Sequence, residues 1–171
     1  MKTRIPLTLR RLGLPCPALF RAPHSAFRTG MVEFANIGEG QASTGNKSYL
    51  PDAAIPNRHS LVILGSAATN IAPSAANTDI PLGVCTDAPE TANLDVPVNV
   101  ALLGCAHGTL KVVLGGTVAA GDMLQSNGDG TAIKLLTTTG TFYNLGRALM
   151  PGVAGDTIEF AHTFPLKVVN P

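Results

Sequence analysis

Hydrophobic residues in the last two-thirds of the chain recur at every second position in short segments. Side chains alternate between the two faces of a β-strand, so this spacing predicts half-buried strands. Three segments show it most clearly, and their apolar positions are Val96, Val98, Val100 and Leu102; Leu110, Val112 and Leu114; and Ile158, Phe160 and Phe164. We expect these faces to form the core.

Eight short strands are predicted from this pattern and from the turn residues between its segments. They cover residues 61–64, 80–86, 96–103, 109–114, 123–126, 132–136, 142–150 and 157–164. The chain of 171 residues contains 18 Gly and 13 Pro, and no stretch longer than nine residues lacks both. A mean α-helix needs about eleven residues, so the spacing favours strands. The predicted fold is all-β, a compact β-barrel-like or sandwich domain.

The region before these strands has a different composition and is predicted to be an extended N-terminal arm. Residues 31–58 are polar and rich in turn residues, which indicates a connecting loop with one short strand near residues 31–37. The sequence therefore divides into a basic arm and loop over residues 1–58 and a β-domain over residues 59–171.

Charge is sparse and uneven. Charged residues make up 13% of the chain and the net charge is +1, but residues 1–30 contain basic side chains and no acid. The prolines in this region disfavour the amphipathic helix of a transit peptide, so we expect the arm to be retained and to contact another protein. The alternative is that it packs only on its own domain. The arginines of the arm are Arg4, Arg10, Arg11, Arg21 and Arg28.

Three tight turns are predicted from local sequence. The hairpin Asn127-Gly128-Asp129-Gly130 consists of residues that suit a turn between two strands. Two Ala-Gly-Asp triplets, ending in Gly121-Asp122 and Gly155-Asp156, each precede a strand. In both, the Asp is expected to accept a hydrogen bond from a nearby backbone N–H, which is a structural role.

No residue pattern indicates catalysis, a metal or a cofactor. Cys105 and His107 are two residues apart and share a face if a strand continues through them, but two ligands do not make a zinc site. The hairpin at residues 127–130 lacks the remaining ligands of a calcium loop, and no phosphate-binding glycine motif occurs. Cys16, Cys85 and Cys105 have no close pair spacing and are interpreted as buried thiols.

Membrane and nucleic-acid roles are also not indicated. The apolar runs are shorter than the roughly eighteen residues that span a bilayer. The arm has only Phe20 and Phe27 among its basic residues, unlike a platform for single-stranded nucleic acid. We therefore expect no membrane and no specific nucleic-acid partner.

Five segments, in order, resemble the small β-rich head decoration proteins, or capsid cement proteins, of tailed bacteriophages. They are Pro-Leu-Gly-Val-Cys-Thr-Asp-Ala at 81–88, the Val-rich strand and its glycine at 96–104, Gly-Thr-Val-Ala-Ala-Gly-Asp-Met-Leu at 116–124, Asn-Leu-Gly-Arg-Ala-Leu at 144–149, and residues 152–160. The resemblance covers about half of the chain and does not include the long arm.

The resemblance implies a structural, non-enzymatic virion protein. Such proteins bind the outer surface of the phage head, usually as trimers, and stabilise the shell. The implied partners are the major capsid protein and further copies of this chain, with no cofactor. On this interpretation the five arm arginines contact acidic capsid surface or a neighbouring subunit.

Two other functions share part of the pattern. The segment Val-Ala-Ala-Gly-Asp-Met-Leu is similar to a turn of lipoyl and biotinyl carrier domains, but those domains need a lysine at a hairpin tip and residues 127–130 have none. A small-molecule-binding β-clip module with the same turn is the second alternative.

Overall fold

The computed structural model describes residues 44–87 and 95–171. These residues form ten β-strands and no α-helix, so the predicted all-β class is confirmed. Within the same ranges there is no helix of the length and apolarity needed to cross a bilayer. The arm arginines, Cys16 and the strand predicted near residues 31–37 lie outside the described residues.

The first five strands close into a barrel in the order β1-β3-β2-β4-β5. Their bounds are β1 Asn46–Pro51, β2 Leu61–Leu64, β3 Asn70–Pro73, β4 Gly83–Cys85 and β5 Val98–Leu102. All neighbouring pairs are antiparallel except β1 and β3, which run parallel. A closed barrel leaves few unpaired strand edges.

The last five strands form a second sheet in the order β6-β10-β9-β7-β8. Their bounds are β6 Leu110–Val113, β7 Met123–Ser126, β8 Ala132–Lys134, β9 Gly140–Ala148 and β10 Thr157–Asn170. A bridge between Leu114 and Ala132 brings the β6 and β8 ends together, which curls the sheet.

Two hydrophobic clusters result from strands β2 and β4, which are buried on both faces. Val62 and Cys85 point into the barrel, where they pack with Tyr49, Ile55, Ile71, Val98 and Val100. Leu61 and Val84 point the other way, towards a cluster that contains Phe160 and Leu145 of the second sheet. Adjacent residues in these strands therefore serve two cores, as expected for strands covered on both sides.

Strand β1 lies where a connecting loop was predicted, and it is part of the barrel, because it pairs with β5 from Asn46↔Ala101 to Tyr49↔Val98. Strand β3 was also not predicted. Both strands are short and mostly polar or half-buried, so they lack the apolar alternation on which the prediction depended.

The predicted core faces are right in most positions and wrong in two. Val98 and Val100 are buried, but Val96 lies before the strand and is 51% exposed. Ile158 and Phe160 are buried, but Phe164 is 61% exposed. The pairing of β10 with β9 is irregular between His162 and Leu166, and such an irregularity changes the face to which following side chains point.

Candidate interaction surface

An open apolar groove of about 430 Å³ lies between the barrel and the second sheet. It is lined by Leu64, Ile80, Pro81, Leu82, Leu102, Leu103, Cys105, Phe164 and Pro165. None of these side chains is charged. A groove with such a lining suits the binding of apolar groups.

The lining residues lie at the ends of strands and in the irregular part of β10, rather than in the middle of regular strands. Leu64 ends β2, and Ile80 and Pro81 precede β4. Leu102 ends β5, and the chain then turns, with the N–H groups of Cys105 and Ala106 both donating to the Leu102 carbonyl. Of these residues, Leu64 and Ile80 have side chains that are more than half exposed.

Phe164 reaches the groove because Gly104 has no side chain. A Cβ on Gly104 would lie 2.5 Å from Cγ of the Phe164 ring, and Gly104 adopts a φ of +77° that favours glycine. The N–H of Gly104 also donates to Nδ1 of His162 over 2.9 Å. These contacts hold the irregular part of β10 against the end of β5.

Three of the large lining side chains are strongly exposed: Leu64 is 55%, Ile80 57% and Phe164 61% exposed. Beyond the groove, β10 presents Leu166 and Val169, which are also more than half exposed. Contiguous exposed apolar residues of this kind usually mark an interaction site. Along this part of β10 the structure shows a pairing partner on one side, β9, because β6 pairs only as far as Phe160.

The two Ala-Gly-Asp turns have the same geometry. Gly121 and Gly155 have φ values of +88° and +90°. Asp122 accepts a hydrogen bond from the Ala119 N–H, and Asp156 accepts one from the Val153 N–H, each 2.9 Å long. Asp122 also forms an ion pair of 2.9 Å with Lys134, and hydrogen bonding to this lysine lowers the pKa of Asp122.

The hairpin at Asn127, Gly128, Asp129 and Gly130 connects β7 to β8 and packs against the barrel. Gly130 donates its N–H to the Ser74 carbonyl over 3.0 Å and accepts from the Leu61 N–H over 2.7 Å. A carrier domain needs a lysine at a free hairpin tip. This hairpin has no lysine, and its backbone is hydrogen-bonded to the barrel.

The two described cysteines differ in their exposure. Cys85 is buried, and burial raises its pKa to about 11. Cys105 is exposed, so its interpretation as a buried thiol was wrong, because it follows β5 in a surface turn. Residues 44–87 and 95–171 contain no group of three His, Cys, Asp or Glu side chains that could hold a metal ion.

Comparison with known proteins identifies a shared fold. No family model and no curated protein matches the sequence. Among solved structures, the chain is similar to the N base of the head fiber gp8.5 of bacteriophage phi29, with a TM-score of 0.52. The match covers 70% of this chain and 94% of that one at 21% sequence identity. At this identity the likeness shows the fold alone.

The groove was not predicted from the sequence, although a local signal for it exists. Two triplets, Ile80-Pro81-Leu82 and Phe164-Pro165-Leu166, each place a proline between large apolar residues. Proline removes a backbone donor from the strand ladder and so tends to interrupt pairing. Residues of both triplets line the groove. The alternating apolar pattern, taken alone, had predicted that Phe164 lies in the core.

Proposed function

We propose that this chain is a structural, non-enzymatic protein of a tailed-phage virion that decorates the outer surface of the head and stabilises the shell. The observation that supports this most directly is the likeness of the fold to the base of a phage head fiber, which extends over 94% of that base. The resemblance of residues 81–165 to head decoration proteins, based on sequence segments, points to the same location.

The surface composition supports a role in assembly. Among residues 44–87 and 95–171, ten large apolar side chains are exposed: Leu64, Ile80, Val96, Met123, Leu149, Met150, Val153, Phe164, Leu166 and Val169. With only 13% charged residues in the chain, such a surface loses little charge hydration when it is covered by a partner. Many identical copies on a lattice add avidity to contacts that are individually weak.

The use of the acidic residues supports a non-enzymatic role. Six aspartates each accept a hydrogen bond from a backbone N–H, and they are Asp52, Asp79, Asp87, Asp122, Asp129 and Asp156. A carboxylate engaged in this way organises a loop or turn. The groove itself is lined by apolar groups.

The proposed partners are the major capsid protein and further copies of this chain, in trimers. The arm arginines Arg4, Arg10, Arg11, Arg21 and Arg28 contact acidic shell surface or a neighbouring subunit in this proposal. An arginine fork bonds a carboxylate in two places, which makes it suited to such contacts.

Sedimentation with purified phage heads that lack the protein tests the proposal. The full chain is expected to co-sediment at a fixed number of copies per head and to raise the temperature at which the heads release DNA. Removal of residues 2–30 is expected to abolish binding while leaving the melting curve of the β-domain unchanged. A free chain that forms trimers has a mass near three times 17.6 kDa by light scattering.

Matched charge variants distinguish a specific role of the arm arginines in head binding from a general effect of positive charge. Replacing Arg10, Arg11 and Arg21 by Gln is expected to weaken head binding. Replacing three exposed cations of the β-domain by Gln, at Lys111, Arg147 and Lys167, is expected to change it little. Failure of the full chain to bind heads contradicts the proposed function, and full occupancy by the truncated chain contradicts the role of the arm.

A further inference from the structure

We propose that His162 is a pH-dependent connection between the two walls of the apolar groove: its neutral ring holds the walls together, and its protonation releases the wall that carries Phe164. The inference goes beyond the proposed function, because it concerns the free protein and holds whether or not the chain binds a phage head. It depends on where the bonded groups lie in the two walls and on the hydrogen-bonding capacity of the ring.

A hydrogen bond joins the two chain segments that form the walls. On the barrel side, residues 102, 103 and 105 line the groove, and Gly104 lies within this run. On the side of the second sheet, Phe164 and the proline after it line the groove, two and three residues beyond His162. The N–H of Gly104 donates to Nδ1 of His162 over 2.9 Å, so this bond connects one wall to the other.

Strand pairing does not hold the wall that carries Phe164. The regular pairing of β10 with β9 is interrupted beyond His162, and β6 pairs with β10 only as far as Phe160. In the described part of the chain, no pairing of strands therefore includes residues 163–165. This segment is connected to the barrel by the packing of the Phe164 ring on Gly104 and by the neighbouring hydrogen bond.

The ring of His162 can bond the loop after β5 on both sides only when it is neutral. A neutral imidazole has one acceptor and one donor nitrogen. Nδ1 accepts from Gly104, so the N–H of the neutral ring is at Nε2. Hydrogen bonds with the backbone of Ala106 and Gly108 raise the pKa of His162, as carbonyl acceptors of a ring N–H do. In the protonated ring Nδ1 also carries a hydrogen, which points at the N–H of Gly104 and excludes that bond.

The charged side chains of the neighbouring strands lie on the opposite face from His162. Glu159 is three positions before His162 in β10, and alternation places it on the other face. Lys111 of β6 is opposite Glu159, and Arg147 of β9 is opposite Ala161, so both share that face. These three charges therefore do not face the ring.

The ring packs against uncharged groups of β9 and β10. Gly146 is opposite His162 in β9, and the ring of Phe160 meets the imidazole in a T-shaped arrangement with 6.3 Å between centroids. The other titratable residues of the loop after β5 are Cys105 and His107, and both are exposed. Burial is the main cause that lowers the pKa of His162, so the neutral ring predominates at neutral pH.

NMR of the isotope-labelled full chain tests the proposal, because it reports the charge of the ring and the contact between the walls in the same sample. At pH 7.5 we expect a strong nuclear Overhauser effect between the α-protons of Gly104 and the ring of Phe164. This signal should be lost as pH falls, with the same midpoint as the ring signals of His162 and at a pH below 6.5. The amide signals of the buried core residues Val112 and Leu124 should keep their folded positions through this midpoint.

Two variants identify the group responsible. His162→Asn retains an acceptor, its Oδ1, and does not titrate in this range, so it is expected to keep the Gly104–Phe164 signal throughout. His107→Asn is the matched control from the same loop and is expected to lose the signal as the parent chain does. The titration of the parent chain decides the proposal even where a variant does not fold.

Four results overturn the proposal. The first is a Gly104–Phe164 signal that persists while His162 is protonated, and the second is a His162 ring that stays neutral until the whole chain unfolds. The third is loss of the signal together with all folded signals, which is global unfolding. The fourth is the same loss in His162→Asn as in the parent chain. None of these results depends on head binding, so they leave the proposed decoration role standing.

Discussion

The N–H of Gly104 donates a hydrogen bond of 2.9 Å to Nδ1 of His162, which connects the end of the barrel strand β5 to strand β10 of the second sheet. For Nδ1 to accept, it must be unprotonated. Burial is the main cause that lowers the pKa of His162, and backbone hydrogen bonds with Ala106 and Gly108 oppose part of this effect. The neutral ring is therefore the form that holds the two sheets together here.

The stability of the protein is expected to fall on mild acidification. A histidine whose pKa is lower in the folded state contributes stability that is fully present above its unfolded pKa, near 6.5, and that is lost as pH falls below this value. His59 acts in the same direction, because burial, then Arg58 and Lys111, lower its pKa. The melting temperature should decrease from pH 7.5 to pH 5.

The variant His162→Asn tests this assignment, because its Oδ1 accepts a hydrogen bond in place of Nδ1 and does not titrate in this range. Its melting temperature is expected to depend less on pH than that of the parent chain, with the remaining dependence due largely to His59. An unchanged pH dependence in His162→Asn would show that His162 is not responsible.

Gly104→Ala is expected to destabilise the fold more than Gly121→Ala. Both glycines have positive φ, so each substitution strains the backbone by roughly 1–2 kcal/mol. A Cβ at position 121 meets no atom within 4 Å, but at position 104 it lies 2.5 Å from the Phe164 ring. The extra steric cost is expected to be about 1 kcal/mol by denaturant unfolding.

A second substitution separates backbone strain from the contact. In the Phe164→Ala background, the difference between Gly104→Ala and Gly121→Ala is expected to disappear. A difference that persists without the ring would mean that Gly104 is required for a reason other than the approach of Phe164.

The buried hydroxyl groups of Ser74 and Ser126 lie 2.5 Å apart and join the end of β3 to the end of β7. Ser126→Ala is expected to cost about 1–2 kcal/mol of unfolding free energy, because Ser74 keeps only longer contacts to Ala76 and Asp79. The double variant with Ser74→Ala is expected to cost less than the sum of the two single variants. Strictly additive costs would show that the two hydroxyls do not interact.

Ser66→Ala is a suitable control for this series, because the Ser66 hydroxyl bonds Asp52 at an exposed site. Its cost is expected to be smaller than that of Ser126→Ala, since water replaces the lost partner.

The second sheet was the part of the fold that the sequence predicted best. Its strands have regular apolar alternation, as at Leu110, Val112 and Leu114, and a hairpin whose turn residues are local in sequence. When a strand stays in register, apolar residues at every second position mark its buried face. The buried positions of Val112 and Ile158 were therefore predicted correctly.

The barrel was predicted less completely because its closure depends on contacts distant in sequence. Strand β1 pairs with β5, about fifty residues away, and with β3 in parallel. Its sequence Asn-Lys-Ser-Tyr-Leu-Pro shows little apolar alternation. No local sequence pattern indicates pairing between strands that are so far apart in the chain. The groove was missed for a related reason: it brings together residues from β2, β5, β10 and the approach to β4.

The double burial of β2 and β4 has a consequence for how the molecule comes apart. Leu61 belongs to one core and Val62 to the other, although they are neighbours in the chain. Disrupting either core removes packing from strands β2 and β4, which belong to both cores. The barrel and the second sheet are therefore expected to unfold together. A calorimetric scan of the β-domain should therefore show one cooperative heat-absorption peak for barrel and sheet together.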